Sequence, residues 1–321
     1  MKTIAVVYGG FSSEVEISVK SGQSVAQWLR NASYNVYEVL LTKGEWSLIQ
    51  GDERYPIDRN DFSCTINQNK ITFDKVFIII HGEPGENGQL QAYFEMLDIP
   101  FVGSSSLTTS IAFDKYACKS YLRNAGVHLA NDLYIRKDEN VSPEEILKKV
   151  RLPFFVKPTN GGSSFGVSKV KEANQLPKAL EIAFAEGDGV LIEEGISGRE
   201  IDCGVYRDSK GVHALPLIEI VSKNEFFDYE AKYLGASQEI CPAPIDPQTT
   251  LRVQQEAIKI FETLGCKGLM RYDFIVTQDG DPYFLEANPN PGMTAASLVP
   301  QMVAQMGLSM EEFLSALIKE L

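Results

Sequence analysis

Long apolar runs are absent from this sequence, and so is the pattern of a signal peptide. The first apolar run, "IAVVY" at residues 4–8, is too short for a signal sequence or a membrane span. Hydrophobic residues make up 44% and charged residues 23% of the 321 residues, which is typical of a soluble globular protein. We therefore expect a cytoplasmic chain that is long enough for two or three domains.

Histidine, cysteine and positive charge are also scarce. The three histidines and five cysteines show no H-E-x-x-H or C-x-x-C spacing, which argues against a zinc site. An odd number of scattered cysteines favours reduced thiols over a disulfide framework. The formal net charge of -13 argues against nucleic acid or an anionic membrane surface as the main partner, although local charge still permits a bound nucleotide.

Two apolar runs in the first third of the chain predict buried parallel strands. The runs "TIAVVY" and "KVFIII" are continuous and rich in β-branched residues, as in strands that are covered on both faces. Each leads into a glycine-rich turn, "GGFSSE" or "HGEPGENG", and then into a helix-like segment. Open α/β sheets bind ligands at the carboxyl ends of their strands, so we expect both turns to border one site. "IPFVG" predicts a further strand near residue 103.

The rest of the chain predicts α+β structure. The strands "PFFVK", "VSKV" and "GVLIEE" and the helix "LPKALEIAFAEG" form one small unit. The strands "EIDCGVY" and "VHALPLIEI" precede a long helix in "TTLRVQQEAIKIFETLG". A capping box of Ser309 and Glu312 predicts the start of the last helix.

The segment "MRYDFIVTQDGDPYFLEAN" predicts a hairpin, because the Asp-Gly pair at residues 279–280 is a strong turn signal. A symmetric turn centred there places Asp273 opposite Glu286 and Arg271 opposite Asn288. Side chains alternate along a strand, so all four lie on one face of the hairpin.

Two opposed carboxylates repel each other, and a bound cation would resolve the conflict. Asp273, Glu286 and Asn288 are an all-oxygen set that suits Mg²⁺ or Mn²⁺. On that argument, neutralising one carboxylate stabilises the protein when no metal is bound. The alternative is a solvated hairpin face with Lys or Arg neighbours, and the hairpin alone leaves both interpretations open. Arg271, beside this face, suits a developing oxyanion.

The loop "NGGSSFG" at residues 160–166 follows Lys157 at the end of an apolar strand. Backbone N–H groups and a lysine can cover phosphates, although the sequence has no Walker-type loop and a plain β-turn is the simpler interpretation of the loop alone. Residues 162–166 also match G-x-S-x-G, but that elbow needs a helix after the turn, whereas "VSKV" predicts a strand. In "VLIEEGISGRE", Glu193 and Glu200 could meet an adenine amino group and a ribose, or could be the charged ends of an ordinary strand.

In this order, the segments resemble the D-alanine–D-alanine ligases of the ATP-grasp superfamily. The resemblance covers nearly the whole chain and is carried by "GGFSSEVEIS", "HGEPGENGQLQ", "FVGSS", "VKPTNGGSSFGVSKV", "LIEEGISGRE", "FDYEAKY", "RYD" and "EANPNPGMT". It implies an α/β ATP-grasp fold, in which an N-terminal parallel-sheet domain (1–103) precedes two α+β subdomains (104–192 and 193–321) that clasp ATP between them.

The resemblance also implies roles for individual residues. The residues implied for ATP are Lys115, Lys157, Ser164, Glu193, Glu194, Ile196, Glu200 and Lys232. The residues implied for two Mg²⁺ or Mn²⁺ ions are Asp273, Glu286 and Asn288. The residues implied for the amino-acid substrates are Glu14, His81, Arg271, Gly292, Ser297 and Leu298. The residues implied for catalysis are Glu14, Ser163, Tyr233, Arg271, Gly292 and Ser297.

The implied activity is ATP-dependent ligation of two D-alanines for peptidoglycan, through an acyl phosphate and a tetrahedral intermediate. The resemblance also implies a homodimer without a nucleic-acid or membrane partner, and a lid around residues 229–233 that closes over the site. A D-alanine–D-lactate ligase, another ATP-grasp ligase and a non-catalytic nucleotide sensor are the alternatives. The intact Glu14, Arg271 and metal set argue against the sensor. The chain departs from the family pattern at Pro289, Asn290, Ala296, Phe165 and Phe227.

Overall fold

The computed structural model describes residues 2–139, 141–162, 164–222 and 237–320. Ser163, Lys232, Tyr233 and the expected lid lie outside these ranges. Among the described helices, none is both long and apolar enough to cross a membrane.

The first sheet forms around the two apolar runs of the N-terminal third. In spatial order its strands are β6 (Asn69–Ile71), β5 (Ser63–Ile66), β4 (Glu53–Asp58), β3 (Trp46–Gln50), β2 (Asn35–Leu41), β1 (Thr3–Gly9), β7 (Lys75–Ile78) and β8 (Phe101–Val102). The pairs β1–β2, β1–β7 and β7–β8 are parallel, which confirms the predicted parallel sheet. Strands β3 to β6 extend it as an antiparallel meander, which no long apolar run predicts because these strands are short and partly exposed.

The glycine-rich turns after β1 and β7 meet at the carboxyl edge of this sheet, as predicted. The Phe11 N–H donates to the Glu83 carbonyl at 2.8 Å, and the Ser12 hydroxyl donates to the His81 carbonyl at 2.8 Å. A side chain at Gly9 would collide with the Leu41 carbonyl, since a Cβ would lie 2.4 Å from it. The helices α1 (Val15–Asn31) and α2 (Gln89–Met96) follow these turns.

The second sheet is antiparallel. In spatial order its strands are β11 (Ser168–Val170), β10 (Phe154–Pro158), β12 (Gly189–Glu194) and β9 (Asp132–Arg136). The helices α5 (Pro143–Lys149) and α6 (Leu176–Glu186), with a 3₁₀ turn at Ala173–Gln175, accompany it, and apolar side chains of both helices enter its core. Since β10 and β11 pair antiparallel around residues 160–166, that loop joins two strands, and the serine-hydrolase elbow is excluded.

The third sheet carries the hairpin. In spatial order its strands are β16 (Ser237–Ile240), β15 (Ile218–Ser222), β13 (Arg199–Asp208), β17 (Leu269–Val276) and β18 (Pro282–Asn288), with β14 (Gly211–Ala214) paired to β13. The helix α7 (Pro247–Thr263) packs on it, together with α3 (Ser106–Phe113) and α4 (Lys115–Arg123). Cys118 and Leu122 of α4 therefore share a core with Phe261 and Phe284. The division of the chain at residues 103 and 192 stays a prediction.

The register of the hairpin agrees with the sequence. Asp273 faces Glu286, and Arg271 faces Asn288. The turn differs from the symmetric one that we expected. The Thr277 N–H donates to the Asp281 carbonyl at 3.0 Å, and Gly280 adopts a φ of 78°, so the turn has three residues and ends in a left-handed glycine.

This odd-length turn would shift the pairing by one residue along the whole hairpin. Next to the turn, Phe274 faces Phe284. A bulge at Leu285 then adds one residue to β18 and returns the four polar side chains to the expected pairs. The predicted register is right at the site because the turn and the bulge compensate each other.

The last helices return the chain to the N-terminal domain. They are α8 (Leu298–Gln305) and α9 (Met310–Glu320). Phe313 and Leu317 of α9 join Val25 and Leu29 of α1 in one hydrophobic core. The predicted capping box at residues 309 and 312 is confirmed, with bonds of 2.9 Å and 3.2 Å between the two residues. The N-terminal and C-terminal parts of the chain are therefore held together by shared apolar burial.

Candidate active site

A cleft of about 450 Å³ lies between the second and third sheets. Its apolar walls include Phe155, Ile196, Ile220, Ile275 and Leu285. Every residue that the resemblance implies for ATP, apart from Lys232, which lies outside the described residues, lines this cleft. A cleft of this size, with apolar walls and a few polar groups, is typical of a small-molecule site.

A buried carboxylate lies between two lysines at one side of the cleft. The Lys157 ammonium is 2.6 Å from Glu193 Oε2, and Lys119, which is fully buried, contacts Glu193 Oε1. Burial lowers the pKa of Lys157 to about 8, and the charge of Lys115 acts in the same direction. Burial and the charge of Lys157 also hold the pKa of Lys119 well below its usual range.

Lys119 was missed by the sequence analysis, although a signal existed. It lies four residues after Lys115 in α4, so both side chains lie on the same face of that helix. The Asp114 carboxylate caps the start of the helix, where it accepts the Ala117 N–H at 2.7 Å. The cap fixes where the helix begins, and therefore where both lysines point.

The two carboxylates at the end of β12 are already engaged. Glu193 is held by the lysines, and Glu194 accepts hydrogen bonds from the Asn131 side chain and the Arg151 N–H, both at 3.0 Å. Both carboxylates therefore bind groups of the protein itself. The linker after β12 therefore presents its backbone and the Ile196 side chain to a ligand.

The polar face of the hairpin is balanced by cations. Arg271 donates from Nε and Nη2 to the two oxygens of Asp273, at 2.7 Å and 2.9 Å. The Asn288 amide also donates to Asp273, at 3.0 Å, and the Lys115 ammonium lies 3.2 Å from Glu286. Within the described residues, no three acidic, histidine or cysteine side chains gather closely enough to hold a metal ion by themselves. Both interpretations of this face therefore have support.

The donor chemistry of this face still fits Mg²⁺. Mg²⁺ commonly binds through one or two carboxylates together with substrate phosphates and water, without a cage made of protein alone. Glu286 lines the cleft, and Asp273 and Asn288 supply further oxygens beside it on the same face of the hairpin. These three residues therefore suit a divalent cation that binds together with substrate phosphates.

Asp202 adds a third carboxylate beside this face. It lies opposite Asp273 on the neighbouring strand β13, and its Oδ2 is 3.3 Å from Arg271 Nε. Burial, together with the charge of Asp273, raises the pKa of Asp202 well above its usual range. No sequence signal could have found Asp202, because the pairing of β13 with β17 joins segments that are far apart in the chain.

The glycine-rich loop after β10 approaches Glu14, which precedes α1. A Cβ on Gly162 would lie 2.9 Å from Glu14 Oε2, so the absence of a side chain lets the loop approach this carboxylate. His81 lies nearby and is buried. Burial lowers the pKa of His81, and the charge of Glu14 opposes that shift.

Glu86 is a third residue that the sequence analysis missed. Its oxygens accept the Gly82 N–H at 2.7 Å and the Asn290 N–H at 3.2 Å. Burial raises the pKa of Glu86 to about 8, and the nearby charge of Glu14 adds to that shift while Arg271 opposes it. Glu14, Glu86 and Arg271 are therefore close enough to influence one another's charge.

Gly292 and Ser297 lie together after the hairpin. A Cβ on Gly292 would be 2.9 Å from the Ser297 hydroxyl, which accepts the Thr294 N–H at 3.0 Å. Leu298 begins α8 and is buried in the core that joins the two ends of the chain. The structure thus brings Gly292 next to Ser297, while the Leu298 side chain contributes to packing.

The second and third sheets, each packed against helices, enclose a cleft. Lysines and the hairpin that carries Asp273 and Glu286 lie at its edge. This arrangement defines an ATP-grasp protein. Comparison with known proteins identifies the family within this class. The D-ala D-ala ligase N-terminus profile matches residues 3–104, and the D-ala D-ala ligase C-terminus profile matches residues 122–319. The chain belongs to the D-alanine–D-alanine ligase family.

Curated relatives match over the full length. The D-alanine–D-alanine ligase of Parabacteroides distasonis is 42% identical over 320 residues, which cover 99% of this chain and 97% of that protein. That of Flavobacterium johnsoniae is 44% identical over 320 residues and 99% of both chains.

Solved structures agree with the fold. The VanG D-Ala:D-Ser ligase from Enterococcus faecalis is 32% identical with a TM-score of 0.90, over 99% of this chain and 98% of that one. The D-alanine–D-alanine ligase from Bacillus anthracis complexed with ATP is 28% identical with a TM-score of 0.80, over 100% of this chain and 97% of that one.

Proposed function

We propose that this chain joins two molecules of D-alanine to form D-alanyl-D-alanine for peptidoglycan and converts ATP to ADP and phosphate. One observation carries the proposal most directly. Gly162, in the loop that lines the nucleotide cleft, lies so close to Glu14 that a Cβ there would be 2.9 Å from Glu14 Oε2. A phosphate held under the loop and an amino acid held by Glu14 would therefore be neighbours, as carboxylate activation requires.

The cleft binds ATP with its adenine between the apolar walls and its ribose near Glu200. Lys115 and Lys157 bind the phosphates, and the Ser164 region of the loop covers them. Asp273, Glu286 and Asn288 would hold Mg²⁺ or Mn²⁺ ions, which would supply positive charge to neutralise the phosphates. Lys232 also contributes to phosphate binding, by resemblance to the family.

In the first step, Glu14 binds the ammonium group of the first D-alanine. The carboxylate oxygen of this D-alanine attacks the γ-phosphorus, the bond to the β-phosphate oxygen breaks, and ADP leaves. The product of the step is an acyl phosphate. Water must be excluded at this stage because it would hydrolyse the acyl phosphate, and Ser163 and Tyr233 are proposed to help close the site with Glu14.

In the second step, the neutral amine of the second D-alanine attacks the acyl carbon. Arg271 and the Gly292 N–H stabilise the oxyanion, and the tetrahedral intermediate releases phosphate and a proton. Arg271 uses Nε and Nη2 for Asp273, so the donors of its other terminal nitrogen can serve the oxyanion. Ser297 and Leu298 receive the carboxylate of the second substrate.

We propose a cytoplasmic homodimer. The support for the compartment is that all five cysteines are described and none is paired. The support for the dimer is the resemblance to the family.

The test is the mass of the product together with phosphate release. Purified protein with ATP and Mg²⁺ is given D-alanine alone, and then D-alanine mixed with D-serine or D-lactate. We expect phosphate release that depends on D-alanine, with D-alanyl-D-alanine as the main product, and we expect Glu14→Gln to lose most of it. L-alanine is the matched control substrate. A main product that contains D-serine or D-lactate would assign a different second substrate, and ATP turnover without D-alanine would refute the ligase.

A further inference from the structure

The segment after the hairpin crosses into the N-terminal domain. Pro289 to Met293 run from the end of β18 to the turn that follows β7, and Asn290 is buried there. This segment carries Gly292, so its position decides where the Gly292 N–H lies. Asn290 is one of the positions where the chain departs from the family pattern.

Asn290 joins the turn through its backbone and its side chain. Its N–H donates to Glu86 Oε1 at 3.2 Å. Its side-chain amide donates to the Ile80 carbonyl at 3.1 Å and to the Gly85 carbonyl at 2.8 Å. Three donated hydrogen bonds therefore fix one residue of the C-terminal part to the N-terminal domain.

His81 contributes the next connection. Its Nδ1 lies 2.9 Å from the Asn290 carbonyl, which can only accept a hydrogen bond. Nδ1 must therefore carry a proton. Its Nε2 lies 3.3 Å from the Ser21 hydroxyl, whose oxygen accepts the Met293 N–H at 3.2 Å. Burial lowers the pKa of His81, which favours the neutral ring, and in the neutral Nδ1–H tautomer Nε2 is an acceptor to which the Ser21 hydroxyl can donate its hydrogen.

These bonds form a continuous network. Met293 donates to Ser21, Ser21 to His81, His81 to the Asn290 carbonyl, and Asn290 to Glu86. Glu86 returns the network to its own turn by accepting the Gly82 N–H at 2.7 Å. The network holds residues 290 and 293, which lie on either side of Gly292.

We propose that Ser21, His81, Glu86 and Asn290 form an interdomain latch that fixes the Gly292 backbone. His81 is a positioning residue in this latch, locked as the neutral Nδ1–H tautomer with both ring nitrogens engaged by protein. The oxyanion role of Gly292 rests on the proposed function, whereas the latch and the tautomer do not.

The tautomer can be measured on the unaltered chain. Histidine ¹⁵N spectra at neutral pH distinguish Nδ1–H from Nε2–H and from the doubly protonated ring. The chain has three histidines, so His128→Gln and His213→Gln assign the His81 signals by subtraction. His128 packs near Tyr283, and His213 contacts Asp208 and Tyr206. We expect a protonated Nδ1 and an unprotonated Nε2. An Nε2–H tautomer or a doubly protonated ring would overturn the proposal.

Two substitutions at His81 separate positioning from chemistry. An asparagine amide can place a donor near the position of Nδ1, whereas a glutamine amide reaches the position of Nε2. If the bond to the Asn290 carbonyl is what matters, kcat of His81→Asn exceeds kcat of His81→Gln by about fivefold or more, which corresponds to one buried hydrogen bond. The loss appears mainly in kcat, because Gly292 acts in the transition state.

The outcomes of this test are distinct. Equal losses in both variants, or a better His81→Gln, would mean that His81 acts through Nε2 or as an acid, and would refute the latch. If the chain ligates no D-alanine at all but His81 is the Nδ1–H tautomer, the latch stands and the proposed function fails. If ligation is found with the wrong tautomer, only the latch fails.

Discussion

Asp273→Asn tests the polar face of the hairpin, and the structure changes the expected sign of its effect on stability. Seen as a bare pair, the carboxylates of Asp273 and Glu286 repel, and the loss of one charge should stabilise the metal-free protein. In the structure, Arg271 donates to both oxygens of Asp273 at 2.7 Å and 2.9 Å. The substitution therefore breaks a buried ion pair.

The size of the expected loss of stability depends on the partners that Arg271 keeps after the substitution. Removing one partner of a buried ion pair costs about 3–5 kcal/mol. Asp202 stays 3.3 Å from Arg271 Nε, and the new amide oxygen can still accept one hydrogen bond. We therefore expect about half of that cost, roughly 2 kcal/mol, and a melting temperature that falls by several degrees in the absence of metal.

The assay is thermal unfolding with a chelator present, followed by turnover across a Mg²⁺ titration. Asp279→Asn, in the exposed turn of the same hairpin, is the matched control and should change neither quantity. We expect Asp273→Asn to lose turnover by about a hundredfold or more, on the scale of 3 kcal/mol of transition-state charge stabilisation. A higher melting temperature without metal would refute the ion-pair argument, and normal turnover at saturating Mg²⁺ would refute the metal assignment.

Three further predictions concern the cleft and the first-substrate pocket. Burial and the charge of Glu14 raise the pKa of Glu86 to about 8 from an ordinary 4.5, so the folded chain keeps a proton that the unfolded chain loses between these pH values. The free energy of unfolding should therefore fall as pH rises through this window, by up to about 1.4 kcal/mol per pH unit, and urea titrations at pH 5 and pH 8 should show that Glu86→Gln reduces the fall. Lys157→Met should raise the KM for ATP about tenfold or more, measured by initial rates, because a charge-assisted phosphate contact is lost, and an unchanged KM would refute that contact. Gly162→Ala places a methyl group 2.9 Å from Glu14 Oε2 and should raise the KM for the first D-alanine, whereas Gly187→Ala, which meets nothing within 4 Å, should not.

Several features of the fold and site could be predicted from local patterns. The parallel pairing of β1 with β7 follows from two continuous apolar runs, and the position of α9 follows from its capping box. The residues of the cleft followed from ordered motifs that resemble a known family. Those motifs determine which chemistry is present.

In the hairpin, the local sequence predicts the facing residues correctly but not the turn length. The facing of Asp273 and Glu286 is right, yet the turn has three residues and a bulge at Leu285 restores the register. Turn length and bulges depend on packing against neighbouring strands, which the hairpin sequence does not contain.

The sequence by itself determined the fold class, the family and most of the residues around the cleft, because each rests on short local motifs and on their order along the chain. Only the tertiary structure decided which partner each charged side chain has. Lys119 meets Glu193, Asp202 meets Arg271, and Glu86 meets Asn290 across separations of 74, 69 and 204 residues. Such contacts are fixed by sheet pairing and by burial between domains, and burial makes an unpaired charge costly enough that these partners are needed. The sequence supplies the charged groups of this site, and the fold determines how they are paired.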